Sequence, residues 1–137
     1  QSFLMSGYLG SIGFAFPGAM GAWAAVRGKR PVIAVAGDGG FAQYMAELTT
    51  SVKYGMNIKL ILLNNNELGK IYKEQRSSEL EVFATELINP NFADYAVGCG
   101  ALGIRVRDRE SLPGAMEKVL DYKGTALLEI MTDVNLV

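Results

Sequence analysis

Histidine is missing from the 137-residue chain. Its absence removes Ser-His-Asp and Cys-His catalysis, histidine-ligated zinc and histidine acid–base work. Cysteine is nearly missing too. Cys99 stands alone, so no internal disulfide forms, and a small core-filling role in a reducing interior is the plain expectation. Neither sign of charge is in excess: 13 Lys and Arg face 14 Asp and Glu, leaving a net −1 without a basic block, which argues against a nucleic-acid partner. No apolar run is long enough to cross a bilayer. FAFPGAMGAWAAV (residues 14–26) is interrupted by Pro17, Gly18 and Gly21, and the basic cluster Arg27-Gly28-Lys29-Arg30 follows it, where a signal peptide would have it precede. The expectation is a cytoplasmic protein with no transmembrane segment. Its chemistry must come from carboxylates, amides, lysines, backbone groups or a bound cofactor.

What is present describes a folded chain. Half the residues are hydrophobic and a fifth are charged, enough for one domain over residues 1–137. The start at Gln1 reads as a cut inside a longer protein. Residues 1–16, with Gly7, Gly10 and Gly13, read as an irregular loop, and Pro17 suits the first turn of a helix. PVIAVA (31–36) and IKLILLN (58–64) are apolar runs of strand length, as in strands buried on both faces. Between them Phe41, Tyr44, Met45, Leu48 and Val52 fall on one face of a single helix ending near Gly55. A short polar helix from Lys70 to Arg76 follows the NNNELG turn. Phe92, Tyr95, Ala96 and Cys99 mark another helix, GIRVRD (103–108) a strand, Ser111 to Leu120 a helix and TALLEIM (125–131) a last strand. Alternating strands and helices imply an α/β fold with a mainly parallel sheet and helices on both faces. Ligands of such sheets sit beyond the carboxyl ends of the strands, which points to loops 37–41 and 64–70.

The first of these loops holds a contradiction. VAGDGGF (35–41) has the strand–glycine–helix form that aims backbone N–H groups at an anion, yet Asp38 sits in its middle. GDGGFA also fits a loose dinucleotide fingerprint. Asp38 would then repel the pyrophosphate, and the end of the next strand carries Asn64 and Asn65 where an acid should meet the ribose. A metal ion removes both objections. Mg²⁺ takes hard oxygen ligands, typically one or two carboxylates together with phosphate oxygens. Asp38 supplies the anion, the Asn65 amide oxygen a neutral ligand, and a backbone carbonyl of the following turn a third.

Gly37-Asp38-Gly39, then residues 40–63, then Asn64-Asn65, resembles the GDG…NN motif of thiamine diphosphate-dependent enzymes. GYLGSIGFAFPGAMGA, upstream, is similar to the stretch before GDG in the decarboxylase and synthase branch. LLNNNELGKI resembles the pyruvate oxidase and acetolactate synthase group. The resemblance covers nearly the whole chain, as the C-terminal, diphosphate-binding domain of a larger enzyme.

That resemblance implies that Asp38, Asn65 and the Glu67 carbonyl hold Mg²⁺ or Ca²⁺. It implies that backbone groups of Gly37, Gly39, Gly40 and of the turn Glu67, Leu68, Gly69 and Lys70 surround the diphosphate. Gly10 and Ser11 would lie along the cofactor, with the Gly10 carbonyl accepting from its 4′-amino group. Ile12 would be the apolar wedge that bends it, and Phe41 would pack near it. No catalytic residue is assignable in this chain, because the activating glutamate of such enzymes lies in a pyrimidine-binding domain of the same or a partner subunit. Ile71 stands where some decarboxylases of the family carry an acid, which disfavours a simple non-oxidative decarboxylase. The implied activity is decarboxylation of pyruvate or another small 2-oxo acid, of the pyruvate oxidase or quinone-linked dehydrogenase type, with acetolactate synthase as the alternative. FAD, if used, would bind mostly outside this domain. A homodimer or homotetramer is implied. A reading from another class is a non-catalytic dinucleotide-binding or regulatory module, which should bind without metal.

Overall fold

The computed structural model describes residues 2–26 and 28–136; Arg27 of the basic cluster, Gln1 and Val137 lie outside them. The elements run α1 (Ala15–Val26), β1 (Val32–Gly37), α2 (Asp38–Ala42), α3 (Glu47–Lys53), β2 (Ile58–Asn64), α4 (Gly69–Ser77), α5 (Phe92–Gly98), β3 (Leu102–Val106), α6 (Leu112–Asp121) and β4 (Ala126–Met131), with a 3₁₀ turn at Val134–Leu136. Among the described residues four strands form one sheet in the order β1-β2-β4-β3, every pair parallel.

Strand alternation divides the core in two. Ile58, Leu60 and Leu62 of β2 and Leu127 of β4 face Phe16 and Ala19 of α1, Phe41 of α2, Leu48 of α3, and Phe92 and Ala96 of α5. Ile61 and Leu128 point the other way, toward Ala115 and Val119 of α6. The rings of Phe16, Phe41 and Phe92 stack edge to face in sequence, with centroids 5.7 and 5.5 Å apart. Cys99 packs half-buried against the first core.

Two expectations need correction. β2 and β4 are buried almost throughout, but β1 is not buried on both faces. β1 lies at the sheet edge, and α6 packs on β3 and β4, so Ile33 and Val35 stay 55% and 59% exposed. The helix expected from Phe41 to Gly55 is two helices. Across residues 43–46 the backbone tightens into i→i−3 bonds: Tyr44 to Phe41, Glu47 to Tyr44 and Leu48 to Met45. This tightening retains Phe41 and Leu48 in the same core while Tyr44 turns outward beside Gly13. No described helix is long and apolar enough to cross a membrane.

Candidate functional site

Gly37 pairs with Leu63 across β1 and β2, so Asp38 and Asn64 leave the sheet side by side at its carboxyl end. Three segments close on this point. Gly40 lies against the glycine-rich stretch before α1, where an added Cβ would stand 3.3 Å from the Gly13 nitrogen and 3.5 Å from Ile12. Gly39 lies against the turn after β2 and the segment 85–89, where a Cβ would meet the Leu68 side chain at 2.7 Å and that of Leu87 at 3.1 Å. The third segment, residues 85–89, runs antiparallel to the turn after β2: Leu68 N–H donates to Thr85 O and Leu87 N–H to Asn66 O, both at 2.8 Å.

Asp38 is only 2% exposed at the centre of this convergence. Asn89 donates its amide to Asp38 Oδ2 at 2.7 Å, and the same nitrogen lies 3.2 Å from Asn64 Oδ1 and 3.3 Å from Asn66 Oδ1. Burial pushes the Asp38 carboxyl above its ordinary range, while the Gly39 backbone N–H, Asn89 and the Asn66 N–H pull it back. Three side-chain oxygens thus converge on one nitrogen. Of the three residues expected to hold a metal, only Asp38 is in this set; with the Asn65 amide oxygen and the Glu67 carbonyl it would make a hard, oxygen-only group of one formal charge, which suits Mg²⁺ or Ca²⁺. The described residues hold no cluster of three or more His, Cys, Asp or Glu, so a metal ion here would have to take amide and backbone oxygens beside Asp38. The space that a Cβ would fill at Gly39 and Gly40 lets the α2 backbone meet both loops closely.

The structure brings most of the residues singled out above into one neighbourhood. Gly37, Asp38, Gly39, Gly40 and buried Phe41 form the strand–helix junction. Asn65, Glu67, Leu68, Gly69 and Lys70 form the facing turn, with the free N–H groups of Gly69 and Lys70 at the start of α4. Ile12 reaches this junction and is 54% exposed, so it is no ordinary core residue. Gly10 and Ser11 sit in an exposed turn; Gly10 has φ +58°, and Ser11 N–H donates to Ser6 Oγ. Asn65 is turned into its own loop, its Oδ1 accepting from Glu67 N–H at 3.1 Å. The Lys70 ammonium is 3.8 Å from Glu74 on the exposed face of α4. A hollow of about 610 Å³ opens between the Asn65–Glu67 turn and residues 82–86.

Two residues of this neighbourhood were not visible as candidates in the sequence. Asn89 had the Asn89-Pro90 turn as its only signal. Glu129, fully buried in β4, stood as a lone acid in an apolar strand, TALLEIM, and that exception was the signal. Its Oε1 accepts from Asn64 Nδ2 at 2.7 Å and lies 3.4 Å from Arg105 Nη2, and its Oε2 accepts from Ala93 N–H at 3.1 Å.

Comparison with known proteins identifies the family. The family profile described as thiamine pyrophosphate enzyme, C-terminal TPP binding domain, matches residues 1–130. The chain is 37% identical over 131 residues to YdaP of Bacillus subtilis (strain 168), whose name describes it as thiamine pyrophosphate-containing; the match covers 96% of the chain and 23% of that protein. It is 34% identical to the mitochondrial acetolactate synthase catalytic subunit of Saccharomyces cerevisiae, over 97% of the chain and 19% of the relative. It is 35% identical to the chloroplastic acetolactate synthase 2 of Nicotiana tabacum, over 96% and 21%. The chain therefore spans about a fifth of the length of these relatives.

Proposed function

The chain belongs to the thiamine pyrophosphate enzymes, as their C-terminal cofactor-binding domain, and from that premise we propose that residues 1–137 hold the diphosphate and a divalent metal ion in an enzyme that decarboxylates a 2-oxo acid, with pyruvate as substrate. The observation that carries the metal reading is Asp38: a carboxylate almost fully buried where the two strand-end loops meet, in a place that raises the cost of its charge. A bound cation offsets that cost and lets phosphate oxygens approach a carboxylate.

In this reading Asp38, Asn65 and the Glu67 carbonyl hold Mg²⁺ or Ca²⁺. The amides of Gly39, Gly40, Gly69 and Lys70 face the diphosphate. Asn65 must then swing its amide oxygen out of its own turn. Ile12, exposed beside Gly40, offers the apolar surface on which the cofactor bends. When bound, thiamine diphosphate supplies the electron sink for loss of CO₂. Phe3, Leu4, Met5, Tyr8 and Leu9 before α1, and Phe83 and Ile88 between α4 and α5, are exposed, which suits cover by a pyrimidine-binding domain of the same or a partner subunit. The cytoplasm, and a homodimer or homotetramer, belong to the same proposal.

Two fates of the two-carbon fragment are supported by different observations. NNNELGKI followed by KEQR resembles the oxidase type more than the synthase type, and that resemblance favours oxidation, with electrons passing to a flavin or quinone. The acetolactate synthases among the relatives favour transfer to a second 2-oxo acid. The full-length protein, incubated with pyruvate, thiamine diphosphate, Mg²⁺ and an added flavin or quinone as electron acceptor, decides between them. Acetate or acetyl product with a reduced acceptor is the oxidase result, and acetolactate at one CO₂ per two pyruvates is the synthase result. No CO₂ release under any of these conditions contradicts the 2-oxo acid reading.

A further inference from the structure

We propose that Glu129 is a positioning residue of the metal-binding loop, acting through Asn64 from the neighbouring strand β4. The inference rests on the reading of Asp38 and the Asn65–Glu67 turn as the metal site. A carboxylate only accepts hydrogen bonds, and both oxygens of Glu129 are used inside the protein. Oε2 takes the Ala93 N–H in the first turn of α5, a donor it shares with Asn91 Oδ1, and Oε1 takes Asn64 Nδ2. The orientation of the buried Asn64 amide follows from this. Its NH₂ must face Glu129, so its Oδ1 must face the loop.

That oxygen does two things there. It accepts the Asn66 N–H at 3.0 Å, closing the turn in which Asn66 adopts φ +56°, a left-handed conformation costly to most side chains. It also lies 3.2 Å from Asn89 Nδ2, the group that donates to Asp38 Oδ2 at 2.7 Å. A chain of contacts therefore runs from Glu129 through Asn64 to the turn and, through Asn89, to Asp38. Arg105, 3.4 Å from Oε1 and partly exposed, supplies the opposite charge that such a buried carboxylate needs.

Glutamine cannot replace Glu129 here. It has one accepting oxygen and one NH₂. With its oxygen toward Asn64, its NH₂ meets the Ala93 N–H. With its oxygen toward Ala93, its NH₂ meets the Asn64 NH₂. In the second case Asn64 must invert, and its own NH₂ then confronts the Asn66 N–H and the Asn89 amide. Each arrangement leaves donor against donor in a buried place.

The test uses the full-length protein and thiamine diphosphate as probe, with Mg²⁺ varied, read by calorimetry below the melting temperature of each variant. Glu129→Gln and Asn64→Leu are each expected to weaken the Mg²⁺ dependence of binding, on the order of ten-fold or more, as outer partners of metal ligands do. The double variant is expected to be no weaker than the worse single one, because both changes cut the same chain of contacts. Glu129→Asp retains the charge but draws back from Asn64, so it gives a second variant with the same expected loss should the glutamine variant not fold. Asp38→Ala is run alongside. If Asp38→Ala abolishes Mg²⁺-dependent binding while the folded Glu129 variants bind as wild type, or if the two losses simply add, the positioning role is overturned. If Asp38→Ala also binds as wild type, the reading of the metal site itself falls.

Discussion

Asn89 donates its side-chain amide to the Asp38 carboxylate at 2.7 Å, across 51 residues of sequence. The contact joins the strap of residues 85–89 to the strand–helix junction, and it places a partial positive charge where the account puts a metal ion.

Asn89→Asp is therefore expected to separate the metal-free and metal-bound states. Two carboxylates at this distance in a largely buried place repel strongly. In chelator, the variant should melt several degrees below wild type. With saturating Mg²⁺ and thiamine diphosphate it should regain most of that loss, because binding to the folded state adds its own stabilisation. Thermal melts of the full-length protein with and without metal check this. Equal loss in both conditions contradicts it.

Asp38 also sets a pH dependence. Its folded pKa is raised, with burial the main cause. Such a carboxyl contributes stability that is fully present below the unfolded value of about 3.8 and lost as the pH rises through the folded value. Metal-free Asp38→Asn should thus be more stable than wild type at neutral pH and no more stable at the acid end, while gaining nothing from Mg²⁺. Melting temperatures in chelator from pH 4 to pH 7 measure the crossing. A variant less stable than wild type at pH 7 would speak against a costly charge at this position.

Gly37 and Gly39 of the junction should not respond alike. A Cβ at Gly39 meets the tip of the Leu68 side chain at 2.7 Å and must push it aside, so Gly39→Ala is expected to cost about 1 kcal/mol and to weaken cofactor binding. Gly37 has φ −80° and no neighbour within 4 Å, so Gly37→Ala should change stability by no more than about 0.5 kcal/mol. Urea denaturation of the two variants side by side is the measurement, and equal effects would show that the close approach of α2 to Leu68 is not what constrains the turn.

Gly103 in β3 constrains the other end of the site. A Cβ there runs into the Ala93 backbone, with the carbonyl carbon at 2.8 Å and the carbonyl oxygen closer still. Backbone cannot give as a side-chain tip does, so α5 must lift off the sheet. Gly103→Ala is expected to destabilise by about 3 kcal/mol or more, the upper end for overpacked positions. It should also loosen the Ala93 N–H bond to Glu129, seen as faster amide exchange in residues 92–96. Unchanged exchange would contradict the tight packing of α5 on β3.

The parts of this structure that were legible in the sequence are those with local causes. β2 and β4 show as mainly apolar runs because helices cover them on both faces, and Asp38 shows because it interrupts a turn that otherwise suits an anion. The exposure of Ile33 and Val35 was not legible, since an edge strand with one bare face has the same composition as a central one. The break at residues 43–46 was not legible either: i→i−3 and i→i−4 bonding leave Phe41 and Leu48 on nearly the same face. Asn89 and Glu129 escaped for a further reason. Their partners, Asp38 and Asn64, lie 51 and 65 residues away, and only the parallel pairing of β2 with β4 and the strap over the turn bring them together.

The central claim is that Asp38 recruits a metal ion that makes diphosphate binding favourable. Calorimetric titration of thiamine diphosphate into the full-length protein, with Mg²⁺ and with excess chelator, for wild type and Asp38→Ala, tests it most directly. The account expects binding that requires Mg²⁺ and is lost in the variant. Binding indifferent to both metal and substitution would contradict it and return the loop to a plain strand–helix turn or a dinucleotide site.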